Sequence, residues 1–343
     1  MVDKRGEPAA EHQSCHGGVG TAMAGSKSRS GSQGVHPRWL VFSLWSALLL
    51  LPLLASGCGT AGAVQTGSKI IAVGAENQYA NVIAQIGGSY VSVNAVLSNP
   101  DTDPHDFQVS PGVATEIAGA QLVVQNGLGY DSFMNAVEAA QANPARKVID
   151  VQTLLHLPDN TPNPHLWYQP STMPRVASAI ATDLSELKPA GKAYFAARLA
   201  AFDRSLAPWQ AALARLRTDF HGATAATTEP VADYLLAAAG IKNLTPFPLQ
   251  EDIMNGVDPS PQAVAAEMAL LADHRVDVFV YNRQVVDPLT QSFLAAARND
   301  HIPVVGVYET MPVPGYDYQS WMLAETDALQ SALANHVSTG TLS

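Results

Sequence analysis

Charge is scarce in this chain of 343 residues: only 14% are Asp, Glu, Lys or Arg, and 30 acidic residues outnumber 19 basic ones for a net charge of −11. So few Lys and Arg leave no basic face to neutralise a phosphate backbone, which argues against nucleic acid as a partner. Cysteine is nearly absent, with Cys15 and Cys58 alone, so neither a disulfide framework nor a thiolate metal cluster can be built. Low charge combined with 47% hydrophobic residues also excludes a mainly disordered or fibrous chain. The length suits two domains, or one large one, with ample core.

The one long hydrophobic run is Trp39 to Leu54, sixteen residues without a charge, directly after Arg38. A membrane-spanning helix needs about 20 apolar residues. This run is shorter, is broken by Pro52, and is followed by Ala-Ser-Gly-Cys. Basic, then apolar, then small is the order of a secretion signal. The ending LLASGCG resembles a bacterial lipobox, with Ala55 where Leu is usual, so residues 1–58 read as a signal peptide and Cys58 as the lipidated first residue of the mature chain. The alternative is an uncleaved single-pass anchor. Cleavage before Cys58 leaves 14 basic against 27 acidic residues. The product is an acidic, exported protein tethered to the outer face of the membrane through residues 59–68, which are small and polar.

From Lys69 onward, runs rich in Val and Ile alternate with helix-length segments. Strands are expected at 69–75, 90–97, 121–126, 147–151, 223–228, 276–281 and 303–308. Helices are expected at 77–86, 112–119, 130–142, 231–239, 261–272 and 289–298. Near-continuous apolar strands separated by helices predict an α/β protein whose mainly parallel sheets are covered on both faces. Residues 171–220 interrupt the rhythm with no strand. Leu199, Phe202, Leu206, Trp209, Leu213 and Leu216 recur there at three- and four-residue steps, a helical stripe, and Pro208 should kink or split it. The expected division is an N-terminal lobe at 69–188, a long connecting helix at 189–220 and a C-terminal lobe at 221–343.

Ligand sites in open α/β sheets gather beyond the carboxyl ends of the strands. Of the seven histidines after residue 58, His105 and His165 stand in loops of that kind, and Glu229 and Glu309 each follow a strand of the second half closely. Pro104 and Pro164 precede the two histidines and stiffen their loops. Two imidazoles and two carboxylates suit a borderline first-row divalent cation, with the oxygens shifting preference towards Mn and Fe. His274 and His301 lie at the opposite edge and are expected in solvent. Trp167 is expected to pack over the site. Asp131, Tyr316 and Trp321 either line the interlobe cleft or join the core, and Glu251 and Asp252 are placed in a loop facing it.

At these residues the sequence resembles a known family, the solute-binding lipoproteins of bacterial zinc and manganese ABC importers. The resemblance runs from about Lys69 to Met322 and rests on DPHDFQVSP (103–111), VVQNGLGYDSFM (123–134), NPHLWYQP (163–170) and GVDPSPQ (256–262), where Asp258 replaces the family's Glu. It implies two α/β lobes bridged by a rigid helix, with the metal buried between them. The first two ligands carry over to His105 and His165. The third position is His in zinc-type members and Glu in manganese-type members, and here it is Glu229. For the fourth, usually Asp, strand position favours Glu309, with Asp317 as the alternative. No insertion rich in His and Asp separates the two His motifs, which with Glu229 leans towards manganese or a less selective site.

The function these observations imply is non-catalytic: a divalent transition metal, Mn or Zn, is captured as cargo and handed to a membrane permease. Nothing resembles a nucleotide-binding loop, so the permease and its ATPase are expected to be separate chains, and this one a monomer. Two other readings use the same residues. A metallohydrolase would need an open coordination position and a spare base, for which Asp317 or Glu251 is available. A receptor for an organic solute or siderophore would need an aromatic or Arg-lined cleft, and Arg275, Arg283 and Arg298 do not cluster near the four site positions.

Overall fold

The computed structural model describes residues 68–101, 104–312 and 314–342. The signal segment, Cys58 and Asp103 lie outside them. Among the described residues two four-stranded parallel sheets repeat one topology. The first contains β1 (Ile70–Glu76), β2 (Val91–Leu97), β3 (Leu122–Gln125) and β4 (Lys147–Asp150) in the order β2-β1-β3-β4. The second contains β5 (Thr224–Thr227), β6 (Lys242–Asn243), β7 (Val278–Asn282) and β8 (Val304–Val307) in the order β6-β5-β7-β8. Every residue of β3, β7 and β8 is buried, as strands covered by helices on both faces require.

The helices are α1 (Asn77–Gly87), α2 (Pro111–Gly119), α3 (Ser132–Ala140), α4 (Val151–Leu155) and α5 (Thr172–Leu187) around the first sheet. α6 (Lys192–Ser205) and α7 (Ala207–Asp219) run between the sheets. α8 (Asp233–Ala239), α9 (Phe247–Met254), α10 (Pro261–Ala272), α11 (Pro288–Asn299) and α12 (Tyr318–Asn335) follow. Three of them start on the same device, a capping side chain before a proline that needs no hydrogen-bond partner in the first turn. Ser110 accepts the Val113 N–H at 3.3 Å, Ser260 that of Ala263 at 3.2 Å, and Asp287 that of Thr290 at 2.7 Å.

The expected connecting helix divides at Leu206, and Pro208 falls in the first turn of α7, where it is harmless. The break has a packing reason: α6 lies against α1 and α5, whereas α7 lies against α8 and α12. The stripe is buried through Phe195, Phe202, Leu206, Trp209, Ala212 and Leu216, while Leu199 and Leu213 are only partly covered. Several elements escape the sequence reading, among them the short β6 and α4. α12 is absent from it altogether, and Glu251 and Asp252, expected in a loop, sit on α9. An eight-residue helix entered through Pro246 and Pro248 carries too little periodicity to stand out from a loop.

Four histidines end helices. His156, His274, His301 and His336 take left-handed φ between 51° and 58° directly after α4, α10, α11 and α12 or one residue later. That position accounts for them without any ligand role, and His274 and His301 are exposed as expected. One core joins both sheets across the middle of the molecule, with Tyr79, Trp167 and Tyr168 from the first half against Tyr318 and Trp321 from the second.

Candidate metal centre

His105 lies in a single 3-10 turn, Pro104–Asp106, beyond β2, and His165 lies beyond β4, immediately before the 3-10 turn Leu166–Tyr168. Glu309 is two residues past β8 and Glu229 two past β5. All four therefore stand at the carboxyl ends of their sheets. Three come together: one candidate ligand atom each from His105, His165 and Glu309 lie within 4.8 Å of one another. Glu309 Oε2 is 3.2 Å from His165 Nε2 and 3.4 Å from His105 Nε2.

Glu309 and His165 are fully buried, whereas the His105 side chain keeps 23% of its surface. Access is thus from the His105 side. A cleft of about 460 Å³ reaches His105 there, between Tyr130 and Pro164 of one lobe and Glu251 and Met254 of the other.

His165 is held in one tautomer. Asn163 Oδ1 accepts both the His165 backbone N–H at 2.9 Å and its ring Nδ1–H at 2.8 Å, while Asn163 Nδ2 donates to Pro230 O at 2.7 Å. With the proton on Nδ1, the Nε2 lone pair faces Glu309 and is the one a cation would take. Tyr234 Oη, from the second lobe, donates to Asn163 O at 2.9 Å. Beneath the His165 loop, Asn126 Nδ2 donates to Pro164 O at 2.8 Å, and Tyr79 Oη donates to Asn126 Oδ1 at 2.7 Å.

The turn carrying Asn126 and Tyr130 is sharply bent. Gly127, Leu128 and Gly129 all have positive φ, and a side chain on Gly127 would meet Gln152 Cβ at 2.7 Å. Asp131 secures it by accepting the N–H groups of Asn126 and Gly127 at 2.6 and 2.9 Å. It is buried and structural, and does not line the cleft; Trp321 is likewise buried, its Nε1 donating to Glu325 Oε1 at 2.7 Å.

Glu309 is fastened on every side. Tyr130 Oη donates to its Oε2 at 2.9 Å and Asn282 Nδ2 to its Oε1 at 2.5 Å. Gln284 Oε1 accepts the backbone N–H groups of Glu309 and Thr310, and Gln78 Nε2 reaches the Glu309 carbonyl from the other lobe at 3.2 Å. Asn77 pairs with the Met311 backbone through both ends of its amide, at 2.8 and 2.9 Å. Burial pushes the Glu309 carboxyl up, but His105 and His165, when protonated, outweigh it through their hydrogen bonds and charge and hold it below the ordinary carboxylate range. Burial lowers His165 against the opposing pull of Glu309, which favours giving up the Nε2 proton to a cation. A neutral imidazole beside an anionic carboxylate is the protonation state that metal ligation needs.

Glu229 is buried but lies outside the three-residue cluster, where it accepts Asn282 Nδ2 on Oε1 at 3.1 Å. Asp317 is exposed and caps α12, exchanging hydrogen bonds with Ser320. Trp167 packs on the centre as expected, its ring centroid 5.4 Å from that of His165 and 5.2 Å from that of Tyr130. Sequence reasoning missed Asn163, Tyr130 and Asn282 as members of the centre. Asn163 and Tyr130 lie inside motifs already singled out, and Asn282 ends a strand, so the position rule that selected Glu229 and Glu309 also pointed there.

Known proteins resemble this chain in sequence or in fold. The manganese-binding lipoprotein MntA of Bacillus subtilis is 28% identical over 132 residues, 36% of this chain and 43% of that protein, so the chain spans less than half the length of that curated relative. The periplasmic zinc binding protein TroA from Treponema pallidum superposes with a TM-score of 0.66 at 16% identity over 79% of this chain and 100% of that one. A Mn-bound periplasmic metal binding protein from Candidatus Liberibacter asiaticus gives 0.61 at 18% identity over 76% and 100%. At such identities the structural likenesses speak for the two-lobed α/β fold. The family model described as zinc-uptake complex component A, periplasmic, matches residues 73–332, and the chain belongs to that family.

Proposed function

We propose that this protein is the extracytoplasmic solute-binding component of an ABC importer, capturing a divalent transition metal, Mn or Zn, between its lobes and delivering it to a membrane permease whose ATPase is a separate subunit. The observation that carries the reading is the meeting of His105 and His165 from one lobe with Glu309 from the other, an anionic carboxylate facing two imidazoles in a buried pocket. Glu229 completes the ligand set in this reading, brought within reach by its shared partner Asn282. Two carboxylates offset the charge of a divalent cation, and the imidazoles supply affinity for a transition metal over calcium or magnesium. Relatives named for manganese and zinc binding support the same cargo class.

The protein is anchored through a lipid on Cys58 and acts as a monomer in this reading. No helix among the described residues is long and apolar enough to cross a membrane. Of the two bases a hydrolytic role would call on, Asp317 caps α12 and Glu251 is exposed on α9 at the rim of the cleft.

The test is a calorimetric titration of the full chain, held in mild detergent and stripped of metal, with Mn and Zn in turn. One site of sub-micromolar affinity with a clear order between the metals is expected. Binding of neither overturns the reading.

A further inference from the structure

One amide touches both carboxylates of the centre. β7 lies between β5 and β8, with Thr227 opposite Val280 and Asn282 opposite Val307. The residue closing β7 therefore stands between the residues that follow its two neighbours. That residue is Asn282, 1% exposed, whose Nδ2 donates to Glu229 Oε1 at 3.1 Å and to Glu309 Oε1 at 2.5 Å. The amide cannot be turned round, because its Oδ1 accepts the Gln284 N–H at 3.0 Å. The Asn282 backbone is tied as well, its N–H donating to Thr228 Oγ1 at 3.0 Å. Both N–H bonds of one NH₂ group are thus spent on two carboxylates, one oxygen of each.

This arrangement limits what the carboxylates can offer a cation. Glu309 Oε2 faces both imidazoles while Oε1 is held by Asn282. Chelation through both oxygens would turn Oε1 from the amide towards the cation and weaken that hydrogen bond inside a buried site, where the amide finds no water in exchange.

We propose that Asn282 is the specificity-determining residue of the centre: it confines Glu229 and Glu309 to one-oxygen ligation and so selects a four-coordinate cation over one that requires six ligands. The proposal rests on the metal-capture reading above. Two imidazole nitrogens and one oxygen from each carboxylate make four ligands, the number zinc takes in closed tetrahedral sites. Manganese prefers an oxygen-rich octahedral shell, which the same residues could supply only if both carboxylates chelated. Glu229 by itself leans the centre towards manganese, and Asn282 pulls it back towards zinc.

The experiment compares the full-length parent with Asn282→Leu, which keeps the branched shape of the side chain and removes the donors, by competition titration with Zn and Mn. The zinc-over-manganese affinity ratio is expected to fall at least tenfold in the variant, with manganese affinity kept or raised. Equal losses for both metals would mark Asn282 as a structural support only and overturn the proposal. Should the variant fail to fold, a crystal structure of the Mn-loaded parent decides the matter. Single-oxygen ligation by both carboxylates supports the proposal, and a chelating carboxylate overturns it. A parent that binds neither metal overturns the capture reading, and this proposal with it, a result distinct from a parent that binds both without preference.

Discussion

His165 and Glu309 meet at 3.2 Å across 144 residues of chain, Nε2 against Oε2, one from each lobe and both fully buried. A cation that displaces the Nε2 proton would take the ring nitrogen and the carboxylate oxygen together, with little water to compete for either. Hydrogen bonds to Asn163 and Gln284 and from Tyr130 and Asn282 hold the pair in place before any cation arrives, so little ordering is left for binding to impose.

Removing either imidazole should weaken metal binding. His105→Ala and His165→Ala are each expected to lower affinity at least tenfold, about 1.4 kcal/mol. His165→Ala should be the worse, since water can replace a ring that is partly exposed but not one sealed behind Trp167. Calorimetry on both variants checks this, and parental affinity in both would remove the site assignment.

Glu309 and Asp317 separate cleanly in a paired experiment. Glu309→Ala should abolish measurable binding. Asp317→Ala should leave affinity intact and cost about 1 kcal/mol of stability through the lost cap of α12. Titration together with chemical denaturation reads both effects, and the opposite pattern would move the fourth ligand to Asp317.

Metal should stabilise the fold. At about 1,000 times the dissociation constant, a cation that binds only the folded state adds roughly 4 kcal/mol. The melting temperature is expected to rise with added Mn or Zn and to return with chelator. A melting curve indifferent to both would contradict capture between the lobes.

Glu325 should make the metal-free protein lose stability as pH rises. Burial raises its carboxyl from 4.5 to about 8, against the lowering effect of hydrogen bonds from Tyr168 and Trp321. Between those two values the folded state holds a proton that the unfolded state has lost, so stability is full below about 4.5, declines towards 8 and levels off above. The slope has a ceiling of about 1.4 kcal/mol per pH unit for one such group. Glu267, raised to about 8 mainly by burial, acts in the same direction. Glu325→Gln is expected to flatten part of the decline, measured by denaturation from pH 5 to 8. An unchanged profile would show that Glu325 does not hold that proton.

Much of the local structure was legible in the chain. Val and Ile runs marked six of the strands, because a strand buried on both faces leaves an unbroken apolar trace, and a run of Ala and Thr marked β5. The two-residue β6 left none. Ser110-Pro111 and Ser260-Pro261 lay within motifs already recognised and proved to be helix starts. The α9 segment spans only eight residues, too few to show a helical period, and α12 opens on Asp317, whose capping bond to Ser320 is a matter of geometry.

By itself the sequence determined where strands end, where helices stop and which histidines follow strands, since these depend on interactions a few residues apart. Only the tertiary structure decided that Glu309 joins His105 and His165, that Asp317 does not, and that Glu229 shares an amide with Glu309. Those relations span up to 204 residues of chain, from His105 to Glu309. They are set by how two separately built sheets pack through Trp167, Tyr168, Tyr318 and Trp321, a sum of many weak contacts that no short window of sequence contains.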